Sequence, residues 1–166
     1  MDILFLIIVI LFLQLGLIWF QGAQYLSTKK TDLEFILNSV NFDSNKVFFD
    51  LGSGLGNVLK VVFNKYQSKC VGIERSWLLF LISEILFIGN KKITIRLGNA
   101  FTYSLNEADV VFSFLMPNDV KKLSQSISDR LKPGAVFVSP IFRPDLDNLE
   151  EINLPSGKRA YVFRKR

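Results

Sequence analysis

Two hydrophobic periods alternate along this chain. Short, largely apolar runs fall at Val47–Phe49, Lys69–Glu74, Ile93–Leu97, Asp109–Leu115 and Ala135–Ser139. Runs of this length suit strands buried on both faces of a parallel sheet. Between them the apolar positions recur at helical spacing. Thr31-Asp32-Leu33-Glu34 has capping-box spacing, and Leu33, Ile36, Leu37 and Val40 share one face, which predicts a lead-in helix. Asn57–Lys65 reads as a helix after the first strand, and Ser76–Ile88 as one after the second, stopping near Gly89-Asn90. Asn118-Asp119 can cap a helix that turns Val120, Leu123, Ile127 and Leu131 toward the sheet. Strand–helix alternation of this kind predicts an α/β fold with a doubly wound, mostly parallel sheet. The end of the chain breaks the rhythm. Leu149–Ile152 and Arg159–Phe163 read as a hairpin around Pro155-Ser156-Gly157, too close to the fifth strand to leave room for a crossover helix.

Two stretches depart from an ordinary soluble pattern. Ile3–Phe20 has only Gln14 and Gly16 outside the strongly apolar set. As a helix it would span roughly 27 Å, close to the bilayer hydrocarbon thickness. A cleavable signal peptide normally has a positive start, whereas the early charge here is Asp2 and the positives, Lys29 and Lys30, follow the run. That asymmetry favours an uncleaved anchor over residues 1–22, N-terminus outside, with a domain over residues 23–166 in the cytoplasm. A buried core helix is the plainer alternative. The second stretch, Ser76–Ile88, is apolar on nearly every face, with Glu84 as its acid. It is too short to cross a bilayer comfortably. It is either buried in the sheet packing or turned toward lipid or the anchor.

Composition narrows the chemistry. The chain has no histidine, so histidine bases and histidine metal ligands are excluded, and no metal site is expected. Cys70 is alone, which excludes a disulfide and reads as a small buried hydrophobe. The net charge of +5 points weakly to anionic partners.

The candidate chemistry lies at Val47–Gly56, where an apolar run ends in Asp50 and three glycines follow, Gly52, Gly54 and Gly56, with Ser53 between the first two. Glycines let the backbone turn sharply and let a ligand come close. The helix after them points free N–H groups at that ligand. The spacing misses the dinucleotide pattern, since neither Asn57 nor Leu59 supplies its last glycine, and no Gly-Lys-Ser/Thr follows for a phosphate loop. An acid beside backbone amides suits a zwitterion, with an ammonium at the acid and a carboxylate at the N–H groups. Glu74, at the end of the second run, stands where such sites place a carboxylate for ribose hydroxyls.

On Asp50, Gly52, Gly54 and Gly56 the chain resembles the class I, seven-strand methyltransferases that use S-adenosylmethionine (AdoMet). The resemblance extends over roughly residues 31 to 140 through Glu74, Gly98-Asn99-Ala100-Phe101 and the Lys132-Pro133-Gly134 turn. It implies AdoMet as cofactor, with Glu74 on the ribose and Asn99 and Ala100 at the adenine. Many relatives have Asp where Asn99 stands. It also implies an acceptor at the end of the fourth strand, at Leu115, Met116 and Pro117. The apolar N-terminus and the Phe-Leu-Met-Pro sequence look like the membrane-anchored protein lysine methyltransferases, among them the ATP-synthase c-subunit type. Gln24-Tyr25-Leu26-Ser27-Thr28 keeps part of that group's lead-in but lacks both prolines. On this resemblance the expected acceptor is a membrane-associated protein rather than nucleic acid. A lipid or small hydrophobic acceptor, or a non-catalytic AdoMet-binding module, are the other readings.

Overall fold

The computed structural model describes residues 3, 5, 7–10 and 28–166. The expected N-terminal span, residues 3–20, lies largely outside them. Residues 7–10 are helical, and among the described residues no helix is long and apolar enough to cross a membrane.

Four helices and seven strands follow Thr28. In chain order they are α1 (Lys30–Ser39), β1 (Val47–Leu51), α2 (Asn57–Tyr66), β2 (Lys69–Glu74), α3 (Trp77–Leu86) and β3 (Ile93–Leu97). Then come β4 (Val110–Ser113), α4 (Pro117–Arg130), β5 (Val136–Pro140), β6 (Glu150–Asn153) and β7 (Arg159–Arg164). They build one seven-stranded sheet in the order β3-β2-β1-β4-β5-β7-β6. The first five strands are mutually parallel, while β7 runs antiparallel between β5 and β6. Strand order reverses at β1, so a crevice opens above the C-terminal ends of β1 and β4, where such sheets bind ligands.

The two faces of the sheet are covered unequally. Phe48, Cys70, Phe112 and Val138 point to the side that receives Leu33 and Ile36 of α1, Leu59 and Val62 of α2, and Phe80 of α3. Phe49, Val71, Val111 and Phe137 point to the other side, which receives Leu123 and Ile127 of α4 together with loop residues such as Leu105 and Leu146. The absence of a helix between β5 and β6, expected from the sequence, is observed: residues 141–149 cross without one. Cys70 is fully buried, and burial pushes its thiol up to about 11, which makes it a packing residue.

Two cap assignments are corrected. α1 begins at Lys30 with Lys29 as its extended N-cap, not at the Thr31 capping box. The carboxylate of Asp32 is engaged instead by the backbone N–H of Ser156, at 3.1 Å. α4 begins at Pro117, with Met116 rather than Asn118 or Asp119 at its N-cap. Proline suits that first position because its missing N–H would have no helical partner there. The Ser76–Ile88 helix is also not buried in the sheet packing: Ser83 is its one buried residue, and Ile85 is 70% exposed.

Candidate functional site

The expected site residues converge on the crevice because parallel strands end in register. Asp50 is paired with Gly72 and Phe112, and Leu51 with Ile73 and Ser113. The chain then leaves β1 through a turn tied to β2, where the N–H groups of Gly52 and Ser53 both donate to the carbonyl of Ile73, at 2.9 and 3.1 Å. Gly56 closes the turn as the N-cap of α2 in a left-handed conformation, φ 77°. A Cβ there would stand 2.4 Å from the Phe87 ring, so conformation and packing both demand glycine. At Gly54 a Cβ would meet nothing within 4 Å: the chain passes an open space there.

Glu74 joins the glycine turn to α3. Its carboxylate accepts from the N–H of Gly54 at 2.8 Å and from the N–H of Ser76 at 2.7 Å. The residue is buried, and two of its roughly four acceptor positions are in use. Asp50 is buried beside it. Desolvation, with the Glu74 charge second, pushes the Asp50 carboxyl up to about 7. A buried acid with a raised pKa next to a second carboxylate favours a cation as its partner. Nearby, the hydroxyls of Ser53 and Ser113 are buried with no hydrogen-bond partner among the described residues. An open cradle, a cation-seeking acid and orphan hydroxyls fit the aminoacyl end of a cofactor such as AdoMet.

The third wall follows β3. Gly98 donates to the carbonyl of Glu74 at 2.9 Å, which fixes the Gly98–Ala100 turn beside β2. Asn99 is exposed, and its side-chain oxygen accepts from the N–H of Phe101 at 3.0 Å. The fourth wall is the segment after β4. Leu115 packs at Gly52, where an added Cβ would stand 3.0 Å from its methyl carbon. Met116 and Pro117 are exposed at the start of α4.

Several participants escape a motif search. Gly72, in mid-β2, gives the glycine turn its room: a Cβ there would stand 2.6 Å from the Ser53 hydroxyl. Arg130, at the end of α4, fastens the loop after β3 by donating to the carbonyls of Ala100 (2.8 Å) and Tyr103 (2.6 and 3.1 Å). Desolvation lowers its pKa, though not enough to threaten a guanidinium's charge. A cleft of about 60 Å³ lies beyond the ends of β4 and β5, lined by Phe114, Pro140, Ile141, Lys29 and Lys158 among others. Ile141 sits there at φ 68°, rare for a β-branched residue, in a γ-turn closed by the N–H of Phe142 on the carbonyl of Pro140, at 2.8 Å. None of these positions carries a local spacing signal. The glycine turn did.

Comparison with known proteins gives this arrangement its class. The chain matches the model of the ANTKMT methyltransferase domain over residues 50–149. No curated protein matches it. Its fold is similar to that of an RNA methyltransferase from Salinibacter ruber solved with S-adenosyl-L-homocysteine. That pair shares 25% identity and a TM-score of 0.75, over 83% of this chain and 92% of that one. A Methanococcus maripaludis protein assigned to the AdoMet-dependent methyltransferases aligns with a TM-score of 0.68 at 16% identity, over 82% of this chain and 84% of that one. A methyltransferase from Geobacter sulfurreducens, also with S-adenosyl-L-homocysteine, gives 0.56 at 18% identity over 69% and 48%. The family match covers the whole crevice, from Asp50 to beyond Pro117, and the chain belongs to the ANTKMT methyltransferase domain family, as an AdoMet-dependent methyltransferase.

Proposed function

We propose that this enzyme N-methylates a lysine of a membrane-associated protein. The observation that carries the reading is the family match over residues 50–149, set on an apolar acceptor side, Phe114-Leu115-Met116-Pro117, in a chain without histidine. AdoMet supplies a methyl group on a positively charged sulfur. The nitrogen–carbon bond forms as the carbon–sulfur bond breaks, the electron pair stays on sulfur, and the amine gives its proton to water. Such a displacement needs alignment and a dry site more than acid–base residues.

In this reading Asp50 receives the ammonium of the cofactor, and the turn at Gly52, Ser53, Gly54 and Gly56 cradles its aminoacyl end. Glu74 uses its free acceptor positions on the ribose hydroxyls, and Asn99 and Ala100 meet the adenine. Leu115 to Pro117 border the acceptor, which arrives at the ends of β4 and β5. A lysine there must be neutral to attack, and desolvation by this apolar border lowers its pKa. The apolar run at residues 3–20 anchors the chain with the catalytic domain on the cytoplasmic side.

A second reading, methylation of RNA, is favoured by the likeness to the Salinibacter enzyme at 25% identity. Labelled AdoMet added to membranes with and without the enzyme separates the readings. Label in protein, recovered as methyl-lysine after hydrolysis, is the expected result. Label in the organic extract or in RNA overturns it. Replacing Glu74 with Ala weakens AdoMet by about 1.5–3 kcal/mol, the range for a hydrogen bond to a charged group.

A further inference from the structure

α3 and the turn after it present an apolar surface that the protein itself does not cover. Leu81, Ile82, Ile85, Leu86 and Ile88 are exposed, Ile88 to 85%, with Trp77 at the leading end. The adjoining edge strand adds Leu97. Water-exposed apolar patches of this kind on a folded domain mark an interaction surface. The rim is basic: Arg75 precedes the helix, Lys91 and Lys92 follow it, and Arg96 lies on β3, all exposed. None of the four is in an ion pair among the described residues. Glu84, the one acid of α3, lies at the flank of the apolar stripe, and Lys60 and Lys65 are the exposed cations of neighbouring α2.

We infer that α3 lies in the plane of an anionic bilayer surface, its outward side chains in the headgroup–acyl boundary and its basic rim on the lipid phosphates. Charge decides the occupant. In a two-fold pairing of this face with a second copy, four cations would confront the same four cations. Anionic headgroups complement them instead. A helix of ten residues, roughly 15 Å long, cannot span a bilayer but suits an in-plane position. A tryptophan at its end is at home at that depth. The surface abuts the site: α3 begins three residues after Glu74, and Phe87 at its end packs where Gly56 turns. Docking would therefore fix the crevice at the headgroup level. The inference deepens the membrane-target reading above and rests on it for where the acceptor is found.

The test uses the full chain with Trp19→Phe, so that Trp77 is the sole tryptophan, mixed with vesicles of phosphatidylcholine and phosphatidylglycerol or of phosphatidylcholine alone. Brominated acyl chains should quench Trp77 emission at least about twofold in the anionic vesicles, the depth expected of an interfacial helix. Quenching should weaken in the neutral vesicles. Ile85→Glu with Ile88→Glu should abolish it while AdoMet binding stays unchanged. Protein that floats with vesicles but keeps Trp77 unquenched, including any in which self-association shields it, sinks the α3 surface and leaves the anchor standing. Protein that floats with the anionic vesicles alone, and is quenched there, supports α3 and sinks the anchor. Protein that floats with neither sinks both.

Discussion

α2 and α3 invite comparison because so much about them is equal. Each has ten residues, follows one of two neighbouring strands and packs on the same face of the sheet. α2 buries Leu59 and Val62 and turns Lys60, Asn64 and Lys65 outward. α3 buries Ser83 and turns leucines and isoleucines outward. The difference shows that an apolar composition does not decide which way a helix faces. The sheet takes one stripe from each, and whatever remains must suit the medium outside. For α2 the outward residues suit water, and for α3 the lipid surface proposed above.

The comparison can be broken most forcefully at the glycines that bound the two helices. Gly56 starts α2 and Gly89 follows α3, both with positive φ. Gly56→Ala adds the left-handed penalty to a collision with Phe87, a loss of about 3–4 kcal/mol. Gly89→Ala, with open space around its Cβ, costs about 1–2 kcal/mol for conformation alone. Urea unfolding of the two variants measures the gap, and equal losses would show that Phe87 yields. Next comes Leu59→Ala, with a loss of about 3 kcal/mol from a fully buried position, read in the same titration.

Between the two helices lies the acid pair, and pH sharpens the contrast there. The folded protein holds the Asp50 proton up to about 7, against an ordinary value of 3.8. It therefore binds more protons than the unfolded chain between those values. This contribution to stability is complete below the lower value and is lost as pH rises, by about 1.4 kcal/mol per unit, for instance from about pH 5 to 6. Asp50→Asn should remove that slope. A cationic ligand reverses the preference, so AdoMet binding should release a proton below pH 7 and tighten as pH rises, which calorimetry in two buffers measures. The smallest effect belongs to the surface of α3. Ile85→Ala should change stability in vesicle-free solution by less than about 0.5 kcal/mol, as for an exposed side chain.

What the sequence disclosed was whatever depends on neighbours along the chain. Asp50 with its alternate glycines marks a turn whose requirements are local, and the strand runs around it appear within a residue or three of where they were expected. Long-range partners overrode local signals elsewhere. Thr31 and Glu34 spell a cap, yet the Asp32 carboxylate answers to Ser156, far along the chain. Arg130 reads as an ordinary helix-ending cation until its three hydrogen bonds to the loop after β3 are seen. Gly72 looks like a weak point in a strand, and only the packing of Ser53 against it gives the reason for it. Of the crevice, the glycine turn after Asp50 was legible in this way, while Ile141 and the cleft beside it were not. They depend on strands that meet only in the finished sheet.

The position of β7 has a consequence for synthesis. It is made after β6 yet lies between β5 and β6. Until residues 159–164 have left the ribosome, β6 has no neighbour and β5 shows an open edge, Val136–Pro140, every residue of which is buried in the finished protein. Such an edge is a template for pairing with another chain. The sheet is thus exposed to aggregation during translation for as long as β7 is missing.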